Sequence, residues 1–413
     1  MSFNFQGSRI DFSLTEEQRA WQLKARQFAK TEISRISLQR DAIAGARETF
    51  DWEIIKKGSK LGFRTLALHK EWGGHGADIV TQVLVMAELA RADSAISKTF
   101  SQNWKWSHLI AAACTDEQKK RFLPKFVADD TYLLGSGNTE PNAGSDNRMP
   151  PEDAPKSGMR LHAERQGDEW ILNGEKCFIA NGSVAKLFFI RARTNPEVSV
   201  RDGVTDFLVT TDTPGFRIGK VFNKRGWRFY QNAELIFENA RIPHANLVGE
   251  VNGGAKARAN DVSHFNEFEL AANALGVCMA ACDAAMKYAT TCKQGGRFIS
   301  DQQLVQRNLA EMNVLTEALR SYVLRTGWER DQAMAGDAGL RNSPSAAFVM
   351  IFAQEIIQRV TALGADIRGT GSGAVNAGAD KLRRDAMIWT HLAGDTVQRV
   401  KVAKQIISQH AKR

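Results

Sequence analysis

The apolar positions of this chain follow a helical period, then an alternating one, then a helical one again. Over residues 11–130 the spacing is helical. Thr15-Glu16-Glu17-Gln18 opens the first helix as a capping box, and Trp21, Leu23, Ala25, Phe28 and Ala29 follow at roughly helical intervals. Further helices are predicted over Asp51–Leu61, Ile79–Arg91, Ser97–Ala113 and Asp116–Ala128, the last capped by Thr115. Glu71-Trp72-Gly73-Gly74-His75-Gly76 between them reads as a tight loop. His75 and His108 each stand alone, which suits packing or surface positions better than metal ligation.

Between residues 131 and 252 the period shortens. Trp170–Gly174, Leu187–Arg193, Asp206–Thr211 and Ala233–Phe237 are short, apolar or alternating, and separated by Asn173-Gly174, Asn181-Gly182 and Thr213-Pro214-Gly215. That pattern predicts an antiparallel barrel or sandwich. Met149–Gly158, proline-rich and polar, reads as an extended surface excursion. From residue 253 the helical period returns over Ser263–Cys292, Asp301–Gln332 and Ser345–Leu363, and Arg368–Gly373 leads into a final helical pair. On the first of these helices Leu270, Ala274, Val277, Cys278, Ala281 and Ala285 share a face of mostly small residues, which favours close packing. The expected fold class is α+β: an all-helical domain over 1–130, a β domain over 131–252 and a four-helix bundle over 253–413.

Composition narrows the function. The 413 residues are 43% hydrophobic and 24% charged, as in an ordinary globular protein of two or three subdomains. No continuous apolar run reaches the roughly 18–20 residues of a membrane span, and the N-terminus has no secretory pattern. Five cysteines without CxxC spacing fit free thiols and a cytoplasmic location. The net charge of +9 is spread rather than blocked, so nucleic acid is not an expected partner, whereas a small polyanion suits the field.

Gly135–Asp146 carries three glycines, two asparagines and a proline between the helical region and the strands. Such a run suits either a loop that presents backbone N–H groups and small hydroxyls to a ligand or a plain surface connection. Trp227-Arg228-Phe229-Tyr230 is similarly open between a substrate entrance and a packed loop.

Thr139-Glu140-Pro141-Asn142-Ala143-Gly144-Ser145-Asp146 resembles the TEPxAGSD signature of the acyl-CoA dehydrogenase family. Asn173–Gly182, Phe237–Pro243 with Asn246 and Gly249, Ala271–Ala289, the helix around Gln303 and Ala310-Glu311-Met312, and Arg384-Asp385-Ala386 are similar to its later motifs, in order along nearly the whole chain. The resemblance implies an FAD enzyme that takes a proton from Cα and a hydride from Cβ of an acyl-CoA or related thioester. It implies a homotetramer in which a neighbouring subunit helps to hold the FAD, and electron-transfer flavoprotein or oxygen as electron acceptor. Carried over residue by residue, Asn138 and Thr139 would contact the flavin ring, and Gly144 with Ser145 would lie by the pyrophosphate or the substrate entrance. Phe178 stands where an aromatic residue lies near the ring, and Gly369 and Gly371 fall in the neighbour's glycine-rich loop.

The departures bear on the chemistry. The family's usual catalytic glutamate aligns with Ala393, or with Leu392 in the alternative register, because this region is one residue short. In relatives that carry the base on the long helix, Asn266 takes its place and Glu267 that of the adjoining arginine; Glu267 or Glu269 could still reach the flavin face. Asp395 is the other candidate base. Ala180 replaces a threonine near the flavin N5, and Arg297 is left to substitute for an arginine that reaches the neighbour's phosphates. Three readings therefore stand: a dehydrogenase with Asp395 or Glu267 as relocated base; the same fold with elimination, oxidase or oxygenase chemistry; and a non-catalytic binding or assembly subunit.

Overall fold

The computed structural model describes residues 13–149, 157–259, 265–374, 378–392 and 395–411. Most of the expected Met149–Gly158 excursion, Ala393 and Gly394 therefore lie outside the described residues, as do the side chains of Asn266 and Glu267.

The chain opens with α1 (Glu16–Phe28), which passes through a π turn into α2 (Ser34–Ala42). Next come α3 (Trp52–Lys60), α4 (Ile79–Ala92), α5 (Ser94–Ala113) and α6 (Asp116–Ala128). Capping boxes form at Thr15 and Thr115, each hydroxyl accepting the backbone N–H three residues on. α4 is buried on every face from Ile79 to Ala90, as befits a helix with neighbours all round. His75 is a packing residue, its ring set edge-on to Trp21 at 5.0 Å.

β1 (Leu133–Gly137) and the single-turn α7 (Ser145–Arg148) lead into β2 (His162–Gln166), β3 (Glu169–Ala180), β4 (Ala185–Arg193), β5 (Val204–Thr210), β6 (Phe216–Val221), β7 (Asn232–Pro243) and β8 (Leu247–Val248). They form one sheet in the order β6-β7-β3-β1-β4-β5-β8, with β2 beside β3 and β4. Of the expected antiparallel barrel or sandwich, the sandwich fits. The strand path has two ends, so the sheet is not a closed barrel, and β1 runs parallel to β4. The cause is topological. β3 and β4 are consecutive strands joined by a tight turn, and β1 inserts between them; antiparallel to β3, it must run parallel to β4.

The C-terminal part comprises α8 (Gly254–Ala259), α9 (Phe265–Thr291), the hairpin β9 (Lys293–Gln294) and β10 (Arg297–Phe298), α10 (Gln303–Met334), α11 (Ala338–Arg341), α12 (Ser345–Arg368), α13 (Gly378–Ile388) and α14 (Thr396–Ala411). α9 is the central helix, packed on α4, α5, α10, α12 and α13. Its small-residue face allows close approach: a Cβ on Gly276 would stand 2.3 Å from the Ala87 carbonyl oxygen. Phe268–Thr291 and Ser345–Gly373 are long and apolar enough by composition to cross a membrane. The first is 78% buried within the fold and the second 50%, the setting of bundle helices that face one another. All five cysteines are unpaired, and burial pushes the Cys114 thiol up to about 12.

Candidate functional site

At Gly135 and Gly137 β1 approaches its neighbours too closely for a side chain. A Cβ on Gly137 would lie 2.8 Å from the Ile190 methyl and 3.1 Å from the Lys176 stem. The strand delivers the 138–146 loop, which is held from within. The buried Glu140 carboxylate accepts the Arg160 N–H at 2.6 Å, the Leu161 N–H at 3.0 Å and the Lys176 ammonium at 2.7 Å. Burial draws Lys176 down to about 8 in spite of that partner. The Asn147 amide donates to the Asn138 and Ala143 carbonyls, and Asp146 accepts the Gly144 N–H. Glu140 of the signature is thus an internal brace. The loop's outer face, with Thr139, Gly144 and Ser145, is left open, and a Cβ on Gly144 would meet nothing within 4 Å.

At the end of β3 the ladder to β7 slips between Lys176 and Ile179. The irregularity sets Phe178 at φ 54°, a left-handed conformation that a bulky side chain rarely adopts. Its ring is 56% exposed and stacks on Phe222 at 3.9 Å, while its carbonyl accepts the Asn232 amide. Ala180 is half-buried opposite Ser136. Next to it Asn181 donates to the Leu134 carbonyl, leaving its own Oδ1 buried without a partner among the described residues. A strained, exposed Phe178 stacked on Phe222 beside an open backbone loop fits the face of a flat heterocycle.

Asp395 comes to the same loop from the far end of the sequence. It accepts the Gln398 N–H at 2.9 Å as the cap of α14, and the Arg148 guanidinium at 2.6 Å. Burial acts to raise its pKa, but that backbone N–H and Arg148 outweigh it and hold the carboxyl below the ordinary value. Glu267 lies in α9, its side chain outside the described residues. Glu269 is buried, and its Oε1 is shared by Lys98 and Lys105.

Trp227, Phe229 and Tyr230 are at most 4% exposed, which makes this stretch a packed loop. The Trp227 N–H donates to Asp385 at 2.7 Å; Ser94 and Lys381 donate to the same carboxylate at 2.9 and 2.6 Å. Arg384 binds Asp41 and Asp380. The Arg384-Asp385 pair therefore ties α2, α5 and α13 to the loop before β7. Sequence reasoning used it only as a landmark; two adjacent opposite charges before a buried helix end were the available signal.

Arg297, Gln303, Gly369 and Gly371 lie elsewhere. All four are exposed. Arg297 and Gln303 follow the C-terminal end of α9, where Arg368 at the end of α12 stacks on Tyr288. The 27 residues of α9 span about 40 Å, and its opposite end carries Glu269 against α5. One chain thus sets Asn138, Thr139, Gly144, Ser145, Phe178 and Ala180 around the end of β1 and β3, ties Asp395 to Arg148 just after that loop, and places the other four at the far end of its bundle.

Comparison with known proteins agrees along the whole chain. Residues 15–130 match the N-terminal domain of acyl-CoA dehydrogenase, 135–240 its middle domain and 261–407 its C-terminal domain. A probable acyl-CoA dehydrogenase of Bacillus subtilis (strain 168) is 32% identical over 96% of this chain and all of its own length. An acryloyl-CoA reductase (NADH) of Anaerotignum propionicum is 32% identical over 97% of each chain. The solved structure of butyryl-CoA dehydrogenase from Megasphaera elsdenii superposes with a TM-score of 0.85 at 28% identity, covering 96% of this chain and all of that one.

Proposed function

This chain belongs to the acyl-CoA dehydrogenase family, and from that premise we propose that it is an FAD-dependent oxidoreductase acting on an unusual acyl-CoA thioester. The observation that supports the reading is the braced 138–146 loop with the exposed Phe178 ring beside it and Asp395 held by Arg148 at its end. Bound FAD supplies the acceptor for the hydride that leaves Cβ of the thioester. The chain's own part is to hold the ring and to take the Cα proton. Asn138, Thr139, Gly144 and Ser145 would offer backbone and hydroxyl groups to the cofactor, and Phe178 with Ala180 would help to hold it.

The base is drawn from Asp395 or Glu267. Asp395 is ionised and adjacent, but Arg148 and the helix cap make it a weak proton acceptor, so its use requires that Arg148 turn to the substrate. Arg297, Gln303, Gly369 and Gly371 serve the cofactor of a neighbouring subunit. Their separation from the loop supports a homotetramer with composite sites. Electron-transfer flavoprotein or oxygen completes the turnover, and the setting is cytoplasmic. The engagement of Asp395 also favours a second reading, elimination or flavin-dependent oxygenation or oxidation on the same fold.

The test is an anaerobic titration of the purified protein with a panel of acyl-CoAs, following the flavin band near ~450 nm. Bleaching by one of them is the expected result. Yellow protein that none of them bleaches would shift the assignment to elimination or oxygenation, and a colourless protein that cannot take up FAD would leave a binding subunit. Asp395→Asn and Glu267→Gln then locate the base, by which of them abolishes bleaching.

A further inference from the structure

A buried charge cluster lies where α5 crosses α9. The Glu269 side chain is 2% exposed; its Oε1 accepts both Lys98 Nζ and Lys105 Nζ, the latter at 3.2 Å, and its Oε2 accepts Ser101 Oγ at 3.0 Å. Lys98 and Lys105 are themselves only 6% and 12% exposed. Two ammonium groups thus share one carboxylate. Each carries three N–H donors and spends one on Glu269, while among the described residues Lys105 otherwise meets the Trp106 ring, 4.8 Å from its centroid. Buried donors are as a rule satisfied, and a buried cation without its counter-charge is costly. Burial brings Lys98 down to about 7 in spite of Glu269, and among the described residues one carboxylate faces the two lysines.

Its position links it to the site. The Asn103 carbonyl on α5 accepts the Leu134 N–H of β1, the strand that delivers the 138–146 loop. The Tyr230 hydroxyl donates to Gln102, next to Ser101, and its ring meets Trp227, which meets Trp389 just before the Asp395 segment. The indole N–H groups of Trp227 and Trp389 are buried without a partner among the described residues. Glu269 is one helical turn beyond Asn266 and so shares its face of α9. The cluster thus packs beside elements that lead back to the open loop, and its two lysines have a single carboxylate between them.

We propose that Lys98 and Lys105, braced by Glu269 and Ser101, receive an anionic group at the far end of the acyl chain, so that this protein selects an acyl-CoA ending in a carboxylate or sulfonate. The inference rests on the thioester reading above and names its substrate class. A neutral tail leaves the ammonium donors stranded, and a cationic tail meets surplus positive charge.

The test is equilibrium binding to the FAD-loaded protein, read by calorimetry, of succinyl-CoA and glutaryl-CoA against butyryl-CoA and pentanoyl-CoA. The dicarboxylic thioesters should bind at least ~10-fold more tightly than neutral ones of equal length, the effect of one charged hydrogen bond. Lys105→Met should cut that preference by ~10-fold or more, and butyryl-CoA should bind it better than it binds the parent, since a stranded donor is gone. Ser101→Ala, a smaller change, serves if Lys105→Met does not fold, and should lower the preference in the same direction. Equal or tighter binding of the neutral thioesters by the parent protein, or a preference for aminoacyl-CoAs, would overturn the inference and leave the thioester reading intact. Binding of no acyl-CoA at all would overturn both.

Discussion

Glu140→Gln is the most searching perturbation of the loop that organises this protein. The Glu140 and Lys176 side chains are 5% and 0% exposed, and the carboxylate serves two backbone N–H groups as well as the ammonium. A glutamine keeps one acceptor oxygen but turns its amide N–H groups on one of those donors. Lys176, already drawn down to about 8 by burial with its partner present, is then left without a counter-charge. Breaking a buried pair from one side costs about 3–5 kcal/mol. For a cooperative unit of 150–250 residues that lowers Tm by roughly 6–20 °C. Lys176→Met should cost less, about 1–3 kcal/mol, because Glu140 keeps both backbone donors and the methionine fills the space of the lysine stem. The double variant should melt above the sum of the two single losses by about 1 kcal/mol or more, since neither charge is then stranded. Calorimetry of the three variants is the assay, with FAD retained through gel filtration as the functional readout, lowest in Glu140→Gln. A Glu140→Gln protein that melts within about 2 °C of the parent, or strict additivity in the double variant, would refute the brace.

Three further outcomes follow from the same coordinates. Asp395→Ala removes both the α14 cap and the Arg148 pair and should cost about 1–2 kcal/mol in denaturant melts; Asp395→Asn, which keeps a capping oxygen, should recover about half, and equal losses would contradict the cap. Arg297→Ala should leave the subunit melting transition near that of the parent while weakening FAD retention and tetramer mass in sedimentation. Retention of both would show that Arg297 serves no neighbour. Burial, reinforced by Asp78, raises the Asp331 carboxyl to about 7. The folded state therefore holds a proton that the unfolded chain releases near ~4, so this contribution is full below that pH and is lost as pH rises through about 7. Asp331→Asn should flatten the fall in Tm between pH 5 and 8, and an unchanged slope would rule out Asp331 as its source.

Much of this was readable in the chain because it depends on local rules. The boxes at Thr15 and Thr115 cap helices by contacts three residues apart, and the small face of α9 from Ala274 to Ala285 packs as its spacing foretold. The 138–146 loop announced itself through glycine, asparagine and a signature run. The sheet was less legible. That β1 inserts between β3 and β4 and runs parallel to the latter depends on strand order, which alternating polarity does not encode.

The site divides along the same line. Residue identity alone determined that Ala393 cannot take a proton and that Asp395 and Glu267 stand near the vacated positions in sequence. Only the folded chain decided that Glu140 is a brace rather than a ligand, that Arg148 and a helix cap occupy Asp395, and that Trp227 is sealed in a packed loop. It also decided that Lys98 and Lys105, two lysines in an ordinary helical pattern, turn inward onto a single carboxylate. The physical reason is range. Caps, turns and periodicity act over three or four residues, whereas the burial and pairing of a charge are set by elements that meet across 171 positions of sequence, as Lys98 and Glu269 do.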